Sequence, residues 1–337
     1  MGESVAQRKV VSTLKIVFFG SDPIALPLLA WLGGAGKSVG EVVAVFTQPD
    51  RPVGRGQKVT PNAIKVWAQS HDLPVYQPEK LTTDTQQTLA ALQADVALVM
   101  AYGHILKQDF IDTPRLGTLN LHTSLLPQYR GASPIQTAIA AGESVTGVTL
   151  MRIVRELDAG PVVAVERVAI DAIDTAMTIE TKLAAACVPL LAQHLPELAA
   201  ERIVFHEQAH SQATYCRRLT KGDGVLDFCV PATVLAARVN GLFPWPACTI
   251  TLQGQPVKLG QADVMAGSAA PGVVIGSDPA GLLIGTGRDL LRLRKLQRPG
   301  GRMLSAIDFM RGWPIEPGTV VPSQPMPNLV STTPFRR

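Results

Sequence analysis

Asn120-Leu121-His122 is the triplet in this chain with the clearest chemical potential. It closes an apolar run, 118–121, that reads as a buried strand, and open α/β sheets place their ligands at the carboxyl ends of such strands. Successive side chains of a strand alternate, so Asn120 and His122 leave one face while Leu121 leaves the other. A carboxylate, Asp158, lies in Glu156-Leu-Asp-Ala-Gly-Pro161, a loop after a second β run at 146–153. An Asn, a His and an Asp brought together from separate loops can transfer an acyl group to an amine. Asn120 would donate a hydrogen bond to the acyl oxygen and His122 would stabilise the oxyanion that follows. Asp158 would orient the imidazole as its charge partner, or take the amine proton through a water. The amine attacks directly, so no Ser or Cys nucleophile is required. The plainer alternative is a satisfied core histidine beside an asparagine that caps a turn.

A second cluster is cationic. Thr47-Gln-Pro-Asp-Arg51-Pro-Val-Gly54-Arg55-Gly56-Gln-Lys58 places Arg51, Arg55 and Lys58 within eight residues of one another. Its glycines let the backbone come close to a ligand, and its cations suit phosphate contacts. A solvated flexible loop is the alternative. The charge of the whole chain points the same way. From Thr214 onward fourteen Lys and Arg face seven Asp and Glu, whereas the first 213 residues hold seventeen against twenty. A cationic excess confined to one half is the footprint of a polyanion partner.

Other patterns promise chemistry that their context denies. Gly33-Gly-Ala-Gly-Lys37-Ser38 ends like a phosphate loop, but Trp31 stands where its first glycine belongs, and the segment follows a helix instead of a strand. It reads as a flexible helix-to-strand connection. The turn Gly20-Ser-Asp-Pro23 lacks the glycines of a dinucleotide site, and Gly285-Thr-Gly287 is isolated. His206-Glu-Gln-Ala-His210 has the spacing of a zinc protease helix, yet 202–205 reads as extended and no third ligand follows. No metal is expected.

Behind these residues the first half alternates strands at 15–19, 41–47, 95–100 and 118–121 with helices at 23–32, 61–70 and 83–93. Thr60 before Pro61, and Ser133 before Pro134, read as cap-then-proline helix starts. Such alternation predicts a Rossmann-like α/β domain with a parallel sheet, closed by a helix at about 178–195 and spanning 12–200. Residues 201–213 read as a linker. From 214 to 313, short β runs at 248–252, 257–259, 272–275, 282–285 and 290–296 predict a small OB-like barrel, and 314–337 reads as a frayed tail. Lys9 and Lys15 ahead of Ile16-Val-Phe-Phe19 imitate a signal peptide, but Gly20 breaks the run after four residues, so strand-then-turn fits better. Apolar residues make up 46% and charged residues 17%, which places the chain among globular proteins. No run of 18 apolar residues is present to span a membrane. Cys187, Cys216, Cys229 and Cys248 contain no C-x-x-C pair, as expected of buried free thiols in a cytoplasmic protein.

Asn120-x-His122, with Ser124-Leu-Leu-Pro127, Arg130-Gly131 and Asp158, resembles the signature of the folate-dependent formyltransferases. The resemblance implies 10-formyltetrahydrofolate as donor, the three residues as catalytic trio, and folate contacts at Ser124, Leu125, Leu126 and Pro127. The glycine-arginine loop is similar to an insertion in the branch of that family that formylates methionyl-tRNA, and shorter members acting on purine intermediates lack it. Ala101-Tyr-Gly103, Phe243-Pro-Trp245-Pro246 and Gly254-Gln-Pro-Val-Lys258 resemble that branch too. The resemblance therefore implies initiator methionyl-tRNA as acceptor, Arg51, Arg55 and Lys58 as its contacts, and a monomer. Thr123 departs from the pattern, where a smaller residue is usual. A folate-dependent hydrolase or a sugar-nucleotide formyltransferase would share the trio, whereas a non-enzymatic RNA-binding protein would leave it without a task.

Overall fold

The computed structural model describes residues 13–335 except Arg55. Its first strands are β1 (Leu14–Gly20), β2 (Gly40–Phe46), β3 (Arg51–Val53), β4 (Lys58–Thr60), β5 (Val75–Tyr76), β6 (Val96–Met100), β7 (Thr118–His122), β8 (Arg130–Gly131), β9 (Val145–Arg152) and β10 (Val162–Ala169). The accompanying helices are α1 (Leu26–Gly33), α2 (Ala63–Gln69), α3 (Thr83–Ala91), α4 (Gln108–Ile111), α5 (Pro134–Ala140) and α6 (Ala176–Ala199). The chain forms two compact units. One takes 13–122, Val148–Glu166 and Leu183–Gln208; the other takes Thr123–Gly147, Arg167–Lys182 and the described residues from Ala209 on.

A seven-stranded sheet, ordered β10-β9-β7-β6-β1-β2-β5, organises the first unit. The apolar runs make β1, β2, β6 and β7 strands buried on both faces, and these pair in parallel, as does β5 with β2. A core of Phe19, Phe46 and Tyr102 backs them, with Phe19 stacked on Phe46 at 4.7 Å between centroids. The wholly parallel expectation gives way at β9, which runs antiparallel to β7 and sets Asn120 opposite Met151 and His122 opposite Thr149. Parallel neighbours need a crossover back over the sheet. The segment between β7 and β9 belongs to the other unit and supplies none.

Local details also differ from expectation. Helix α2 is capped by Asn62, whose Oδ1 accepts from the Lys65 amide at 3.0 Å, and not by Thr60. Ser133 holds the cap position of α5 without a side-chain bond. Residues 35–38 close as a 3-10 turn against the Trp31 ring, so the supposed flexible connection is packed. Cys187, Cys216 and Cys248 are buried free thiols, but Cys229 is exposed. Burial pushes the Cys187 and Cys248 thiols up to about 12, which keeps them protonated and unreactive near neutrality. Lys9 lies outside the described residues, and no described helix is long and apolar enough to cross a membrane.

In the second unit, β11 (Tyr215–Cys216) precedes β12 (Thr249–Leu252), β13 (Gln255–Met265), β14 (Val274–Asp278), β15 (Gly281–Gly285), β16 (Leu290–Gln297), β17 (Leu304–Ser305) and β18 (Val330–Ser331). An antiparallel sheet ordered β12-β13-β16-β15-β14 inserts β16 between β13 and β15, a Greek-key arrangement, and β17 pairs with β16. Two helices absent from the expectation fill this unit: α7 (Ala232–Leu242) and α8 (Ala306–Arg311). The tail is not frayed over its described length. Val321 and Leu329 are buried in the core, and β18 pairs with β11, which also pairs with β8.

Asn240 fastens α7 to the sheet. Its side-chain amide donates to Ala262 O and accepts from Ala262 N, both at 2.8 Å, in a buried setting. Removing it strands both backbone polar groups of buried Ala262, each costing about 1–3 kcal/mol. Asn240→Ala should therefore lower the unfolding free energy by about 2–6 kcal/mol, read as a shifted urea midpoint with an unchanged slope.

Candidate active site

Strand β7 is gripped by ladders on both sides, so its backbone is spent on the sheet and chemistry falls to its side chains. Asn120 is half-buried and His122 is buried, and alternation sends both to one face. Both belong to the strand itself, as the alternation in the sequence implied. Asp158 does come from a loop, the one joining β9 to β10. Its Oδ1 lies 3.8 Å from His122 Nδ1, and both side chains are largely shielded from water. That is ion-pair range and longer than a hydrogen bond.

The Asp158 loop takes an unusual path. Asp158 has φ of 49°, a left-handed conformation that few non-glycine residues adopt. Gly160 presses against the end of β9, where a Cβ would meet Arg152 O at 2.0 Å. The amide of Gln208 then holds the loop from outside, donating to Asp158 O at 2.9 Å and Gly160 O at 2.7 Å. Gln208 escaped the sequence reading because it sits inside His206-Glu-Gln-Ala-His210, which was weighed for its histidines. The segment is extended at His206, which exchanges backbone bonds with Val162 at 2.8 Å, and turns into a short 3-10 helix at His210–Gln212. No helix presents the two histidines on one face. Among the described residues no group of three His, Cys, Asp or Glu could hold a metal ion.

The loops beyond the parallel strands are laced together. Ser21 Oγ, after β1, donates to Tyr102 O at 3.0 Å, and Gln48 Nε2, after β2, donates to the same oxygen at 3.2 Å. Tyr102 lies in a loop after β6 that is left-handed at Ala101 and Gly103. This loop entered the sequence reading only through resemblance. Tyr102 Oη and His104 Nε2 are buried there without a hydrogen-bond partner among the described residues.

The cationic loop is a hairpin, β3 paired with β4, with Arg51 and Lys58 exposed. Arg55, the third expected cation, lies outside the described residues. The foot of the hairpin is anchored. Asp50 pairs with Lys65 at 2.7 Å and accepts from Gln77 at 2.8 Å, bonds that hold its carboxyl below the usual range. Asn62 donates to Gln48 O and accepts from the buried Thr47 hydroxyl, each at 3.0 Å. Of the expected folate segment, Ser124 is buried and donates to Gln128 O at 2.6 Å, while Leu125, Leu126 and Pro127 adjoin it on the turn that this bond closes. That turn is counted with the second unit, whereas the trio belongs to the first.

Comparison with known proteins gives this arrangement a lineage. Residues 14–195 match the formyl transferase model, and residues 218–314 match the formyl transferase C-terminal domain. The methionyl-tRNA formyltransferase of Chromobacterium violaceum is 42% identical over 91% of this chain and 99% of its own length. That of Chromohalobacter salexigens is 44% identical over 88% and 93%. Among solved structures, an N-formyltransferase from Helicobacter canadensis, bound to folinic acid and dTDP-3-aminofucose, superimposes with a TM-score of 0.61. It covers 83% of this chain and 99% of its own at 16% identity, a likeness of fold alone.

Gly160→Ala tests the packing of the Asp158 loop. The new methyl group forces the loop off Arg152 O, and overpacking of this kind costs about 1–3 kcal/mol. A crystal structure of the variant should have Asp158 displaced from His122 by about 1 Å or more, comparable with the new methyl's overlap; an unmoved carboxylate would refute the constraint.

Proposed function

Because this chain belongs to the formyl transferase family and carries both of its domains in order, we propose that it transfers the formyl group of 10-formyltetrahydrofolate to the amino group of initiator methionyl-tRNA. The donor is a substrate consumed in the reaction, and no metal takes part. The acceptor rests on the 42–44% identity to methionyl-tRNA formyltransferases over about nine-tenths of the chain. The observation that carries the chemistry is the approach of Asp158 to His122, on the strand face that Asn120 shares.

Each residue of the trio has its own task. Asn120 donates from its amide to the formyl oxygen and so polarises the carbonyl. The methionyl amine attacks the formyl carbon, and His122 stabilises the charge gathering on oxygen. Asp158 holds the imidazole in place and, through a water, takes the proton the amine must lose. The bond from carbon to the folate nitrogen then breaks, and that nitrogen takes a proton. Segment 124–127 contributes folate contacts, with three apolar side chains suited to a flat heterocycle. Arg51 and Lys58 reach the tRNA from the hairpin, Arg55 is a further tRNA contact, and the basic domain at 214–313 adds to the attraction. These substrates place the work in the cytoplasm. A sugar nucleotide is the competing acceptor; the structures that share the fold and act on sugars are 13–17% identical. Incubation with 10-formyltetrahydrofolate and charged initiator tRNA should yield formylmethionine, and formylation of an amino-sugar nucleotide in its stead would overturn the reading.

Asn120→Ala should lower kcat by about 10²–10³-fold, the loss typical of one oxyanion donor, with folate affinity nearly unchanged. A loss below about fivefold would remove Asn120 from that role. Arg55→Ala should lower kcat/KM for tRNA by roughly 10- to 100-fold while leaving folate binding intact. If Arg55 meets a phosphate, the slope of log affinity against log salt should also shrink by about 0.9 or somewhat less.

A further inference from the structure

We propose that Gln208 is a positioning residue for this site, setting Asp158 against His122; the inference rests on the formyl-transfer reading above. A carboxamide has two N–H donors in one rigid plane. Gln208 uses them as a fork, one toward Asp158 O at 2.9 Å and one toward Gly160 O at 2.7 Å. The fork spans the residue whose backbone is left-handed and the glycine pressed against Arg152 O, so it ties both carbonyls to one anchor. At 7% exposure the amide is shielded, and water competes little for either carbonyl.

Gln208 is itself held in place. Two residues earlier His206 exchanges two backbone hydrogen bonds with Val162, so the segment lies as an extra bridge along β10. A continuous path of fixed geometry therefore runs from the sheet edge through His206 to Gln208, to the Asp158 backbone, and on to the carboxylate 3.8 Å from His122 Nδ1. Without the fork the loop loses two hydrogen bonds that hold the Asp158 backbone, and its carboxylate shifts relative to the imidazole. A displacement of about 1 Å in a catalytic constellation can cost on the order of 10²-fold in rate.

The test uses the full-length chain. Gln208→Met keeps the length of the side chain without its donors, and Gln208→Glu keeps its shape while replacing the amide nitrogen with oxygen. Each should lower kcat by roughly 10- to 100-fold, with KM for 10-formyltetrahydrofolate and for methionyl-tRNA within about twofold of the parent. In an Asp158→Asn background, Gln208→Met should change kcat by less than about twofold, because groups acting as one unit are non-additive. An independent readout needs no turnover: the ¹⁵N ring resonances of His122, which report its tautomer, should move in Gln208→Met in the same direction as in Asp158→Asn. Parental kcat in Gln208→Met, losses that multiply in the double variant, or an unmoved His122 signature would each overturn the proposal. Should the parent chain fail to formylate methionyl-tRNA, the functional reading falls while the His122 signature still decides whether Gln208 governs Asp158.

Discussion

The double ladder around β7 is the constraint on which the site depends. Parallel pairing with β6 and antiparallel pairing with β9 consume the backbone groups of β7 and lock its register. A slip of one residue would turn Asn120 and His122 to the opposite face together. The ladder thus converts a spacing of two residues into a fixed pair of polar groups. The third polar residue of that face, Thr118, is spent within the fold, its hydroxyl donating to Ile111 O at 2.9 Å. The site is completed from a loop, and a loop needs its own restraints.

Those restraints differ in kind. The strand residues are held by cooperative backbone pairing over several residues. Asp158 is held by three local devices: a left-handed backbone, a glycine where no side chain fits, and a carboxamide that ties two carbonyls. Each of these devices acts through one or two residues, so a single substitution removes it. They leave Asp158 Oδ1 3.8 Å from His122 Nδ1, within ion-pair range.

The cationic hairpin follows the same logic at another edge. Its foot is fastened by Asp50, Asn62, Gln77 and Lys65, while Arg51 and Lys58 stand in solvent. A fastened foot limits the volume the cations can explore, and so lowers the ordering cost of any contact they make. Bonded polar groups hold the chain at the foot, and exposed charge stands beyond them.

Much of this was legible in the order of residues. Continuous Val, Ile, Leu and Phe runs mark β1, β2, β6 and β7, because a strand covered on both faces needs no polar alternation. Period-two alternation put Asn120 and His122 on one face, and the extended reading of 202–205 disqualified the zinc pattern. What depended on distant partners was not legible. Strand β9 has the same apolar texture whichever way it runs, so its antiparallel pairing waited for the path of the intervening chain. Helix α7 is buried on nearly every side, Arg238 and Asn240 included, and so offers no amphipathic stripe to recognise. The Pro-rich tail is ordered by β11 and by the core under Val321, neither near it in sequence. Gln208 is the sharpest instance. Nothing in its neighbours distinguishes it, because its role is set by two carbonyls some fifty residues earlier in the chain. Periodicity reports what a residue needs from water, and only folding decides which other residue answers that need.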